Sequence, residues 1–335
     1  MKKILAFSLC ILMVVCAVLV GCSNNESADN NAGAGSSAAV KFGAGVYVSA
    51  PAATDATEDK NGSGKLDVTV AAVTVDENGK IVACALDTAS NTVGFTFDGK
   101  AVANEEFKTK YEMGADYNMV AYGGAVQEWY AQADAFEALV AGKTLDEVKA
   151  LVADANKGTE EVVNAGCTIM INEFVGAIEK AYNSASAEVK ADSVLKVKVA
   201  TEQTCSDANE EKDGSNKLAV NVFACAEDAE GKILAASSDC VEVTFTFDMN
   251  GASTLDTTKE VLSKKEQGDS YGMVAYGGAQ KEWYEQAAAF DSVCVGKTAA
   301  DIASFVGEDG RGVEEVQNAG CTIYVTGFVK AASKN

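Results

Sequence analysis

An α+β fold, present twice, is what this sequence predicts, and three observations carry it. Tyr117 to Phe174 and Tyr271 to Phe328 align with each other without a gap, identical at about half of their positions. Upstream of each block, apolar and polar residues alternate with the period of two that belongs to strands. Within each block the period changes to that of a helix. A repeat this long is far outside the solenoid range, so it marks two copies of one domain, antiparallel strands first and helices after. The copies are expected at 41–184 and 190–335, with the boundary near "NSASAEVKADS", Asn183 to Ser193.

The elements can be justified in chain order. Lys2 and Lys3 precede an apolar run from Ile4 to Val20, too short and wrongly flanked for a permanent span, so residues 1–21 read as an export signal. "LVGC", Leu19 to Cys22, resembles the lipobox of bacterial lipoproteins. That resemblance implies cleavage before Cys22, lipidation of its thiol and amino group, and a membrane anchor on the extracellular face. The Ser/Asn/Gly/Ala tract that completes 22–40 reads as a flexible tether. "KLDVTVAAVTV" and "KIVACALDT" form a hairpin around "DENG", Asp76 to Gly79, with "DAEG", Asp228 to Gly231, in the second copy. "GFTF" adds a short strand. Trp129, Ala133, Phe136 and Val140 fall at helical spacing, and Gly142 suits the position past the helix end. Thr144 with Glu147 makes a capping box for "LDEVKALV". "CTIMI" reads as a final short strand, and Asn172, or Thr326 in the second copy, as the cap of the last helix.

Composition removes several function classes. There is no histidine, which excludes Ser-His and Cys-His dyads, His-ligated zinc and imidazole bases. The formal charge is −22, and −24 once Lys2 and Lys3 leave with the signal, a surface that repels nucleic acid. Of ten cysteines, Cys10 and Cys16 lie in the signal and Cys22 is the lipid site. The other seven are an odd set without CxxC, which reads as small buried hydrophobes rather than a disulfide framework.

Three stretches are candidate sites. "VVNAGCTI", Val162 to Ile169, returns as "VQNAGCTI", Val316 to Ile323. Its small residues either make a tight corner over buried Cys167 and Cys321, or present Thr168 and Thr322 as acceptor hydroxyls. No histidine or sequence-local lysine is there to activate them, so an external enzyme would have to make the transfer. "MVAYGGA", Met119 to Ala125 and Met273 to Ala279, offers a backbone-lined face. A flat ring could stack there on Tyr122 or Trp129 beside Gly123 and Gly124, and on Tyr276 beside Gly277 and Gly278. "DKNGSGKLD", Asp59 to Asp67, begins like a calcium loop, but Val70 stands where the bidentate acid belongs, so a polar loop and no metal is expected.

The order of hairpin around "GKI", helical middle, small-small-small-Thr-Ile and terminal helix resembles the bacterial FMN-binding domain. "Y-x-M…EWYxQAxAF…GKT" is also similar to clostridial lipoproteins built from such repeats. In that family a flavin transferase joins FMN through a phosphoester to the threonine of a Ser/Thr-Gly-Ala-Thr motif. Gly166 and Thr168, and Gly320 and Thr322, fall on its glycine and threonine. The chain departs from the motif at Ala165 and Ala319, at Cys167 and Cys321, and at Val162 and Val316, where the family usually has aspartate. The resemblance implies covalent FMN on Thr168 or Thr322 or both, a flavin transferase and a membrane electron donor as partners, and electron carriage rather than substrate turnover. A flavin-free surface lipoprotein that binds a small ligand or an envelope protein is the other reading.

Overall fold

In a computed structural model of the protein, residues 38–334 are described; the expected signal, Cys22 and the tether as far as residue 37 lie outside them. The first copy opens with β1 (Ala39–Val48), β2 (Ala52–Thr54), β3 (Gly62–Val75), β4 (Ile81–Phe95) and β5 (Ala101–Val102). Helices α1 (Lys110–Met113), α2 (Trp129–Val140), α3 (Leu145–Lys149), α4 (Glu160–Ala165) and α5 (Asn172–Ser184) follow. After β6 (Ala187–Lys190), the second copy repeats the plan with β7 (Val194–Ser206), β8 (Gly214–Glu227) and β9 (Ile233–Phe247). It closes with α6 (Lys264–Gln267), α7 (Trp283–Cys294), α8 (Ala299–Ile302), α9 (Glu314–Asn318) and α10 (Thr326–Ala332). The α+β expectation holds: both sheets are antiparallel, in the orders β5-β4-β3-β1-β6 and β7-β8-β9.

Local chemistry explains the hairpins. Asp76 Oδ1 accepts from the N–H groups of Asn78 and Lys80 at 2.9 and 2.8 Å, and Gly79 takes φ +74°. Asp228 and Gly231 repeat the turn. In β3 the alternation is between two buried faces. Leu66, Val68 and Val70 meet the other copy's sheet, while Ala71, Val73 and Val75 meet the helices of their own copy. Four layers result, with helices outside and the two sheets between them. At β1, a Cβ on Gly43 or Gly45 would come within 2.2 or 2.3 Å of the α5 backbone, so glycine is what lets that helix lie directly on the strand.

The helical expectations hold at α2, whose Trp129, Ala133, Phe136 and Val140 are all buried, at Gly142 (φ +81°), and at the Thr144–Glu147 capping box. Others are corrected. "GFTF" is not a separate strand, because β4 runs unbroken to Phe95 against β3. "CTIMI" is not a strand: Met170 makes only an isolated bridge to Lys157, as Tyr324 does to Arg311. Cys167 and Ile171 turn into the core, and the segment alongside contributes one bridge and the Ile171 N–H bond to Asn156 O at 2.9 Å but no ladder. Asn172 and Thr326 are the first residues of their helices, not caps; Ile171 and Val325 precede them without a side-chain cap bond. Val40 is already buried in β1, earlier than a tether ending at residue 40 would allow, and β6 orders part of the stretch read as the boundary. Ser63 and Gly64 of the calcium-like stretch belong to β3 and pair with Gly94 and Val93.

The described residues form one compact unit, and its two halves meet with approximate two-fold symmetry. Phe95 stacks on its counterpart Phe247, centroids 4.5 Å apart and planes 1° from parallel. Ala56 N–H donates to Gly251 O at 2.7 Å, and Ala208 N–H to Gly99 O at 2.8 Å. Asp207 accepts from Ala101 N–H and Asp55 from Ser253 N–H. Lys334 pairs with Glu112 at 2.8 Å, and Lys180 pairs with Glu266. Such reciprocal contacts are the mark of an isologous interface, here enclosed within one chain.

Candidate functional site

Both repeated motifs converge on the first turn of α2, and of α7 in the second copy. Glu128 precedes α2, and its two carboxylate oxygens accept from the N–H groups of Met119 and Val120 at 2.9 and 3.1 Å. Glu282 does the same for Met273 and Val274. One turn on, the buried Gln132 accepts at Oε1 from both the N–H and the hydroxyl of Thr168, at 2.8 and 3.0 Å. Its Nε2 donates to Gln127 O at 2.9 Å. Gln286 holds Thr322 through two bonds of 2.9 Å and donates to Lys281 O at 3.0 Å. The fold thus brings the Tyr-Gly-Gly loop and the Asn-Ala-Gly-Cys-Thr corner together twice. Gln132 and Gln286, which hold the corner, were not among the sequence candidates, nor were Glu128 and Glu282, which hold the loop; glutamine at matching positions on the buried helix face was the available signal.

Most of the corner is accounted for by chain termination. Gly166 ends α4 at φ +107°, and Cys167 N–H returns to Val162 O at 3.1 Å. Gly320 (φ +102°) and Cys321, bonding to Val316 O, repeat this. It is the Schellman arrangement, in which glycine takes the left-handed position and the next residue packs inward. Both thiols are fully buried, and burial pushes them up to about 11, so neither is a nucleophile at neutral pH. Of the seven cysteines after Cys22 all are free, five of them buried, with Cys84 half-buried and Cys205 exposed. Thr168 and Thr322 remain exposed, and the hydroxyl of each donates to a buried glutamine.

The glycines of the other loop also have backbone reasons. A Cβ on Gly123 would lie 2.7 Å from Met119 O, and Gly124 takes φ +66°; Gly277 and Gly278 match them. Trp129 is not a platform, since it is buried edge-on to Tyr111 and Phe174. Tyr122 and Tyr276 are different: they are 88% and 91% exposed, with no packing role that would hold them as tyrosine. Val120, Val126 and Met170, and Val274 and Tyr324 in the second copy, are also exposed.

A separate feature lies at the seam. A cavity of about 370 Å³ is lined by Asp87, Glu137, Tyr111 and Lys334 with Lys196 and Lys198 of β7, and one of about 380 Å³ containing Asp291 and Lys265 is its counterpart. Burial pushes Asp87 up to about 6 and Glu137 up to about 8, and it raises Asp239 and Asp291 as well. Each finds backbone partners: Leu86 N–H donates to Glu137 at 2.7 Å, Thr88 and Tyr111 N–H to Asp87, and Ser238 N–H to Asp291. Sequence reasoning passed over these acids, although matching acids beside Leu86 and Ser238, and beside Phe136 and Phe290, were visible.

FMN, the group the resemblance implies, can be tested against these residues. Both threonines are exposed, a bare tyrosine is displayed in the loop locked to the same helical turn, and none of five cavities of about 370–650 Å³ is lined by either corner. The residues fit a group tethered at the surface, not an enclosed one. No family model, curated protein or solved structure matches the chain.

Proposed function

We propose that this chain is a lipid-anchored extracellular protein displaying two equivalent corners that carry covalent FMN for electron transfer. Tyr122 and Tyr276 are the observation behind this reading. They are almost fully exposed, yet both copies keep them in a loop locked to the start of the helix that also holds Thr168 and Thr322. Thr168 and Thr322 would hold the phosphoester. Gln132 and Gln286 fix each hydroxyl by accepting its hydrogen bond, which holds the oxygen in one orientation. A neutral amide cannot act as a base, so the transfer falls to a separate flavin transferase. Tyr122 and Tyr276 offer a flat face for a ring system. Bound flavin supplies one- and two-electron redox chemistry, while the chain supplies position and environment. The anchor at Cys22 keeps both corners near a membrane donor.

Intact mass of the protein from its native host tests this. One or two covalent FMN are expected, with fluorescence retained in a denaturing gel. Thr168→Ala and Thr322→Ala should each remove one, and the Thr→Ser variants should keep them. An unmodified mass would sink the electron carrier. The second reading, a flavin-free lipoprotein that docks a partner through the exposed tyrosines, is favoured by the committed hydroxyl protons, which work equally as structural locks.

A further inference from the structure

The two corners share their hydrogen bonds but not their charge. In the second copy Lys281 lies over Gly320, where an added Cβ would be 2.3 Å from its Nζ. In the first copy the same place beside Gly166 is taken by the neutral Gln127, whose Nε2 is 3.5 Å from the equivalent point. Lys281 is far from Thr322 in the sequence, so a search along the chain for a nearby lysine passes over it. Its ammonium has no carboxylate within 4.0 Å among the described residues.

A second difference lies two residues beyond the threonine. Tyr324 replaces Met170, and Arg311, the only arginine in the sequence, replaces Lys157. The Arg311 guanidinium sits 5.3 Å from the centre of the Tyr324 ring. An arginine stacked on a ring keeps its edge donors free for a planar anion. Acids accompany these changes, but they are turned to the backbone: Glu285 accepts from Glu282 N–H at 2.8 Å and Asp309 from Arg311 N–H at 3.0 Å.

We propose that the second corner alone is an anion site, in which Lys281 and Arg311 flank Thr322 to receive the phosphoryl group of a ring-bearing phosphate ester, with Tyr276 and Tyr324 as its aromatic walls. The first corner has the hydroxyl, one tyrosine and Lys157 in the place of Arg311, but it lacks the Lys281 ammonium and the stacked guanidinium. The proposal deepens the flavin reading by naming the copy that recognises phosphate, and its test does not require covalent attachment.

The full chain, isotopically labelled, would be titrated separately with inorganic phosphate, riboflavin and FMN while backbone amide shifts are followed. Phosphate and FMN are expected to move Gly320, Thr322 and Tyr324 and to leave Gly166 and Thr168 in place, with riboflavin the weakest of the three. Lys281→Gln, an exposed substitution, should raise the Kd for phosphate about fivefold. Gln127→Lys should create a phosphate response at Thr168. Equal responses at both corners, silence at Thr322, or riboflavin binding as tightly as FMN would each overturn the proposal. An unmodified native mass together with a phosphate response confined to Thr322 would remove the electron carrier and leave the anion site standing. Covalent FMN on both copies with no preference in the titration would do the reverse.

Discussion

Gln132 shows how much of a corner can depend on one buried amide. Its Oε1 satisfies two donors of Thr168 while its Nε2 satisfies Gln127 O. Gln132→Leu keeps the volume but strands the Thr168 N–H, so a loss of about 1–3 kcal/mol in denaturant unfolding is expected. Gln286→Leu should match it. Glu137 makes a second, opposite point. Its carboxyl is held up to about 8 from an ordinary 4.5, and that of Asp87 up to about 6 from 3.8, mainly by burial. The folded state therefore keeps protons that the unfolded chain releases. Their stabilisation is complete below about pH 4 and is lost as pH rises toward 8. Glu137→Gln, which can still accept from Leu86 N–H, should flatten the fall in Tm between pH 5 and 8 by at least a few degrees, on the order of 2–4 °C per kcal/mol. An unchanged pH profile would show that Glu137 is not the group responsible.

At the scale of elements, β1 and α5 depend on each other through missing side chains. Gly45→Val would drive a side chain into the α5 backbone, and about 1–3 kcal/mol or more of destabilisation is expected, read from the same unfolding curves. Far-UV circular dichroism would separate this from helix loss, since α5 should shift rather than melt. These glycines also explain why β1 was illegible: "KFGAGVY" has turn-like composition, and only the helix that lies across it makes the glycines intelligible. The hairpin turns, the α2 stripe and the Thr144 cap were legible because their causes are local. "CTIMI" misled because alternation marks extended backbone, and a strand also needs a neighbour. Thr168 was legible as a repeated hydroxyl, but its lock to Gln132 joins residues 36 apart that no local pattern connects.

On the scale of the whole molecule, each sheet has one face that only the other copy covers. Leu66, Val68, Val70 and Val93 meet Leu218, Val220, Val241 and Phe245 there, all buried. Hydrophobic patterning announced these residues as core, yet it could not say that the core belongs to both copies at once. The Phe95–Phe247 stack lies where the approximate two-fold axis must pass, because the two rings are each other's counterparts. Truncating either ring to alanine should cost about 3–5 kcal/mol. Removing both should cost less than the sum of the two single losses by roughly 0.5–1.5 kcal/mol, the coupling typical of an aromatic pair in contact. A double-mutant cycle measured by chemical denaturation reads this directly. It should also show one transition rather than two, because loss at the seam takes the packing face of both sheets together. Strict additivity with two separate transitions would mean that the copies fold as independent units joined only in passing.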